Sequence, residues 1–218
     1  MGQVTAGRPA LTPLSGEPAR ERIIRAATRL FYRQGIPRTG VDAIIDTADV
    51  AKMSLYRNFG SKDQLIVECL RRLDIRYHDW FVAQVRQRAR RPQDALLSLF
   101  DVLDEWFGSD DFRGCAFINA TVELADPGHP AREPAMAHKR RNREYIADLA
   151  RAAGVADPAS FARQLMLLVE GAIVTALVQR DPGAARDAKE AARVLMAAAL
   201  PRLPGQAADA PPPGTGRR

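Results

Sequence analysis

Cys115, Asn119 and Glu123 stand at i, i+4 and i+8, a spacing that puts a thiol, an amide and a carboxylate on one helical face. Trp80, Phe81, Phe100, Trp106 and Phe117 are available as apolar walls, and Glu170 interrupts an otherwise apolar helix. Apolar walls with a few polar anchors are the usual make-up of a small-molecule pocket. The competing reading is that the aromatics are core and that Glu123 or Glu170 caps a helix or pairs with an arginine. The run His138-Lys139-Arg140-Arg141-Asn142-Arg143 wraps around a helix and is expected to be a solvated face. Cys69 and Cys115 have no CxxC spacing and are expected to be inert thiols in helix interfaces. His78, His129 and His138 lack ligand spacing, so no metal site and no cofactor are expected. No nucleophile–base pair, P-loop or dinucleotide fingerprint is present, so no enzyme is expected.

The elements that would position these residues are helical throughout. Ile23, Ala27, Leu30 and Phe31 give residues 17–34 one apolar face, with Pro18 in the first turn, Ser15 near the cap and Gly35 at the end. Arg22, Arg25, Arg29 and Arg33 recur on the opposite face and read as mostly solvated. Thr39 with Asp42 resembles a capping box, and Ile44, Ile45 and Ala48 form the inner face of a short helix. Asp49-Val50-Ala51 breaks that run before a second short helix, Lys52 to Phe59. Two short helices across a tight turn make a helix-turn-helix, whose second helix can enter a major groove. Ser61 and Gln64 form an S-x-x-Q box opening a long helix to about Arg90, with a stripe of Ile66, Cys69, Leu73, Tyr77 and Trp80.

Further helices are expected over about 92–107, 115–125, 131–153, 158–180 and 184–200. Small residues Gly171, Ala172, Ala176, Ala188, Ala191 and Ala192 recur on the last two, as close packing in a self-complementary dimer would need. Residues 1–16 read as a flexible arm, in which Arg8 could brush a phosphate, and 201–218 as a disordered tail. The fold class is all-α: a helix-turn-helix head over 17–62 and a helical body over 63–200, about nine helices in all.

Charge is unevenly spread. The 218 residues carry a net charge of +6, yet residues 1–62 hold ten Lys/Arg against five Asp/Glu while residues 63–200 hold nineteen against twenty. The basic excess lies where a polyanion would be met. No run reaches roughly 18 uninterrupted apolar residues, and residues 1–16 lack the apolar stretch of an export signal, which favours the cytoplasm.

AATRLFYRQG at 26–35 and TGVDAIIDTADVAKMSLYRNFGSKDQL at 39–65 together resemble the tetracycline-repressor (TetR) family of bacterial transcriptional regulators, the run at 55–62 being the most specific part. The resemblance covers about 50 residues; beyond them the agreement is in helix number and length. It implies a homodimer that binds a palindromic double-stranded DNA operator, pairs through the last two helices (about 158–180 and 184–200), and is released by a small-molecule effector. It implies phosphate contacts from Thr39, Gly40, Tyr56 and Lys62. It implies a groove-facing set of Lys52, Met53, Ser54 and Arg57, with Lys52 and Arg57 suited to guanine or phosphate and Met53 to a thymine methyl. Asn58 is left as either a backbone contact or a cap.

The sequence departs from the family pattern at Asp49, where the turn usually has glycine, and at Ala51, where a capping hydroxyl is usual. The alternative from a different class is a helical ligand-binding or enzymatic protein with a vestigial head, which would be indifferent to DNA.

Overall fold

The computed structural model describes residues 16–200; the expectations for Arg8, Ser15 and the tail at 201–218 lie outside the described residues. The described residues form nine helices and no strand: α1 (Ala19–Gln34), α2 (Val41–Ala48), α3 (Lys52–Phe59), α4 (Lys62–Arg88), α5 (Pro92–Phe107), α6 (Ala116–Glu123), α7 (Arg132–Ala152), α8 (Pro158–Gln179) and α9 (Ala184–Ala199).

Local chemistry explains most of the boundaries. The Ser61 hydroxyl accepts from Gln64 N at 3.1 Å to open α4, and Asp157 accepts from Ser160 N at 3.0 Å beside Pro158 to open α8. Asp49 closes α2 in the left-handed region (φ 52°, ψ 58°), an excursion that Asp tolerates better than most side chains. The expected Thr39–Asp42 capping box does not form. Thr39 is fully buried and its hydroxyl donates to Gly35 O at 2.7 Å, a carbonyl left open at the end of α1, so α2 starts one residue later behind Gly40.

Two cores result. Ile23, Ala27, Ile44, Leu55 and Leu65, none of them solvent-accessible, hold α1–α3 against the start of α4. Phe100, Phe117, Ala162, Leu165 and their neighbours fill the larger core of α5–α9. α4 serves both. Leu65 and Cys69 point into the first core, while Ile66, Leu70 and Leu73 point into the second. At 27 residues it is about 40 Å long, a rigid connection between the two.

α8 and α9 pack on each other, on α5 and, through α8, on α7. Ala172, Ala176 and Ala192 are buried in that packing, so these small residues already serve contacts within one chain. By length and composition alone α8 is apolar enough to cross a membrane. It carries Glu170 at mid-length in an ion pair with Lys139, and its inner face packs into the core.

Candidate nucleic-acid interface and interior cavity

The short helix α3 buries Leu55 and Phe59 and turns the rest of its side chains outward. Met53 is 67% exposed and Tyr56 40%. Lys52 reaches back to Asp42 at 2.9 Å, both side chains in solvent, and Asn58 donates to Ser54 O at 2.7 Å within the helix. Arg57 is exposed and has no ion-pair partner among the described residues. Arg38, which the sequence reading passed over, stands likewise exposed just before α2; a cation next to Thr39-Gly40 at a helix start was the available signal.

Gly40 is exposed as the N-cap of α2. Lys62 is turned inward: its ammonium donates to Ile36 O at 2.8 Å and lies over the Phe31 ring, and burial pulls its pKa down.

A second set of contacts joins this head to α6. The Glu123 carboxylate accepts the Ile36 N–H at 2.6 Å and packs against Gly35, whose φ of +86° would strain any other residue and whose Cβ would lie only 3.3 Å from the carboxylate. Tyr32 donates to Gly114 O at 3.0 Å and accepts from Arg113 N at 2.9 Å, and Arg33 pairs with Asp111. Asn119 donates to Arg113 O at 2.8 Å. Asn119 and Glu123 thus line a small space of about 20 Å³ between α1, α4 and α6.

Cys115, one residue before α6, faces a different space. Trp80, Phe81, Trp106, Met166 and Ile173 wall a cavity of about 80 Å³ among α4, α5, α7 and α8, and Cys115, Lys139 and Glu170 are its polar side. The Lys139 ammonium lies 3.5 Å from Cys115 Sγ and 2.6 Å from Glu170 Oε1. Phe100 and Phe117 are fully buried core; Phe117 stacks on the His138 ring at 3.7 Å. His138 Nδ1 lies 2.9 Å from Asp74 Oδ1, and Arg141 meets the other oxygen of Asp74 at 3.1 Å. Within the run 138–143, His138 is buried and Lys139 half-buried, each turned toward a carboxylate, while Arg140, Arg141 and Arg143 stay exposed as the composition suggested, Arg141 pairing with Asp74 from the surface.

The two cysteines differ. Burial pushes the Cys69 thiol up to about 12. At Cys115 burial acts in the same direction, but hydrogen bonding with His138 and the Lys139 charge outweigh it and bring the thiol down to about 6. His138 is raised: burial opposes its charge, and Asp74 and Cys115 more than offset that. The two thiols thus sit in opposite surroundings, Cys69 among apolar side chains and Cys115 beside the Lys139 ammonium.

Residues 23–69 match the profile of bacterial regulatory proteins of the tetR family, and residues 92–192 that of the tetracyclin repressor-like C-terminal domain. The chain belongs to the TetR family. It is a DNA-binding helix-turn-helix transcriptional regulator. The TetR-family regulator from Streptomyces coelicolor shares 30% identity with it and superposes with a TM-score of 0.73, over 83% of this chain and 95% of that one. A chain from Streptomyces avermitilis shares 32% identity at a TM-score of 0.73, over 84% and 98%. Among curated relatives, the HTH-type transcriptional regulator YjdC of Escherichia coli is 28% identical over 162 residues, 74% of this chain and 85% of YjdC. Within this TetR-family chain, the residues singled out for a ligand fall into three places: Trp80, Phe81, Trp106, Cys115 and Glu170 around the cavity, Phe100 and Phe117 in the core behind it, and Asn119 and Glu123 at the head.

Proposed function

We propose that this regulator is a homodimeric repressor whose hold on a palindromic operator is released when a small molecule occupies the cavity among α4, α5, α7 and α8. The observation that carries this reading is α6. Its first turn follows Cys115 on the cavity wall, and its last residue, Glu123, holds the Ile36 N–H of the head at 2.6 Å. A ligand that moves α6 acts directly on the loop leading into α2, and α4 carries the same displacement along its length. Such a ligand shifts the population toward the head spacing that does not fit DNA.

The head occupies residues 17–62 and the effector-binding, dimerising body residues 63–200. Lys52, Met53, Ser54 and Arg57 face the major groove, Tyr56 donates to a phosphate, and the N-terminus of α2 at Gly40 takes another. Thr39 and Lys62 hold the α1–α2 loop that presents that N-terminus, and Arg38 adds a phosphate contact. The dimer forms on the exposed apolar stripe of Leu167, Val174 and Val178 on α8 with Val194 on α9, which are 73%, 44%, 74% and 71% exposed in the single chain.

The test is titration of the full chain against duplex from upstream of its own gene and against random duplex, across a salt series. Selective, salt-sensitive binding by a dimer is expected. Equal affinity for both duplexes would remove the operator reading.

A further inference from the structure

The polar side of the cavity is built around one sulfur atom. Cys115 sits at the N-terminal, positive end of α6, with the Lys139 ammonium 3.5 Å from Sγ. The charged groups packed around it come from three helices. Lys139 and His138 on α7 are the near ones; Glu170 on α8 holds Lys139, and Asp74 on α4, itself met by Arg141, holds His138. The Lys139 ammonium stands next to the sulfur, and the Glu170 carboxylate stands behind the ammonium. That order stabilises a thiolate. Cys69 is the internal control: its thiol sits in the apolar head core, 3.8 Å from the Ile24 carbonyl, and burial holds it protonated.

A second observation points into the same cavity. Tyr145 lines it, and its hydroxyl oxygen is buried with no hydrogen-bond partner among the described residues. A buried hydroxyl left unsatisfied is unfavourable by roughly 1–3 kcal/mol unless a ligand atom accepts from it. Trp80, Trp106 and Ile173 are among the apolar walls, which suit a carbon skeleton.

We propose that Cys115 is a nucleophile that captures a small α,β-unsaturated carbonyl compound, with Tyr145 donating to its carbonyl oxygen. This rests on the cavity being the effector site. Sγ forms a bond to the β-carbon, the carbon–carbon π pair moves through the α-carbon onto the carbonyl oxygen as an enolate, and the α-carbon then takes a proton from water. The net change is addition of S–H across the double bond, with no oxidant or reductant. The adduct adds bulk at the start of α6, where Gly114 (φ +76°) already lies so close to Leu177 of α8 that a Cβ would be 2.7 Å away. Any shift of α6 there is carried to its far end, where Glu123 meets the head.

The experiment uses the full chain with cyclohex-2-en-1-one, and with cyclohexanone as a same-sized ketone that cannot react. Intact-mass and peptide-mass measurements follow the adduct, and fluorescence anisotropy follows the chain's own upstream duplex. The expected result is one enone on Cys115, with a rate that rises through a midpoint near 6. Modification of Cys69 should be slower by on the order of 100-fold at neutral pH, from thiolate fraction and nucleophilicity together. Enone releases the duplex and cyclohexanone does not. Cys115→Ser neither reacts nor releases; Lys139→Met raises the reaction midpoint, and Tyr145→Phe slows addition without moving it.

Equal reaction at Cys69, a midpoint in the ordinary thiol range, or release by cyclohexanone as effective as by enone would each overturn the proposal, as would an adduct on Cys115 that leaves the duplex bound. Should untreated protein show no preference for its upstream duplex, the operator reading fails, and the mass measurements still decide whether Cys115 is the nucleophile.

Discussion

On α3 the polar side chains stand in solvent with few partners, whereas around Cys115 the ionisable groups are bound to one another in the interior. Met53, Tyr56 and Arg57 are exposed, and the Lys52–Asp42 pair is open to water, where such pairs contribute little. Asp74, His138 and Cys115 are at most 7% exposed, and Lys139 is held by both Glu170 and the sulfur. A surface that meets DNA needs donors that are free until the partner arrives. An interior that responds to a small molecule needs charges whose arrangement a single added group can upset. Substitutions in the two regions should therefore fail in different ways: on α3 by losing binding with the fold intact, and in the body by losing stability first.

The sharpest test of that difference is Asp74→Ala. It leaves His138 without its acceptor and Arg141 without its partner, and should cost about 3–5 kcal/mol of unfolding free energy in urea. Because the folded-state pKa of His138 is raised, the pair's contribution is complete below the ordinary value of 6.5 and is lost as pH rises through the folded value. The loss in Asp74→Ala should accordingly be larger at low pH than at high pH; an equal loss at both would break the assignment.

Arg57→Ala should do the opposite: no change in the urea midpoint, and a loss of about 1–3 kcal/mol in operator discrimination measured by anisotropy. Glu123→Ala tests the junction between the regions. It removes one charge-assisted hydrogen bond, worth about 1 kcal/mol at this exposed position, and should speed amide exchange at Ile36. Unchanged exchange there would mean that α6 does not grip the head.

A last expectation is a pH-dependent gap between wild type and Cys115→Ser. The folded-state thiol is depressed to about 6 against an ordinary 9.0, so its contribution is present above 9.0 and disappears as pH falls through 6. Urea midpoints of the two proteins should converge on acidification.

Legibility in the sequence followed the range of the forces involved. Helix boundaries set by adjacent residues were readable: Ser61 with Gln64, Asp157 with Pro158, and Asp49 in the left-handed turn all act within a few positions. Leu55 and Phe59 identified the inner face of α3 by spacing alone, and their opposite face followed. The Thr39–Asp42 cap does not form because a buried hydroxyl takes the nearest open carbonyl, here Gly35 O, over a helix end in solvent.

The residues that make the cavity answer to partners far along the chain. His138 meets Asp74 across 64 positions and Lys139 meets Glu170 across 31. A helical repeat says which side chains share a face; it does not say which face meets a carboxylate. Cys115, Asn119 and Glu123 show the same limit. Their spacing placed them on one side of a helix, but α6 runs from the cavity to the head, so one end serves the interior and the other the α1–α2 loop.

By itself, then, the sequence determined an all-α chain with a helix-turn-helix head of the TetR family, because periodicity, capping and turn chemistry are local. Only the tertiary structure decided that His138 and Lys139 turn inward from a basic run, that Glu123 grips the head and that one of two cysteines faces a lysine. Those outcomes depend on which buried charges meet, and burial is a property of the assembled helices.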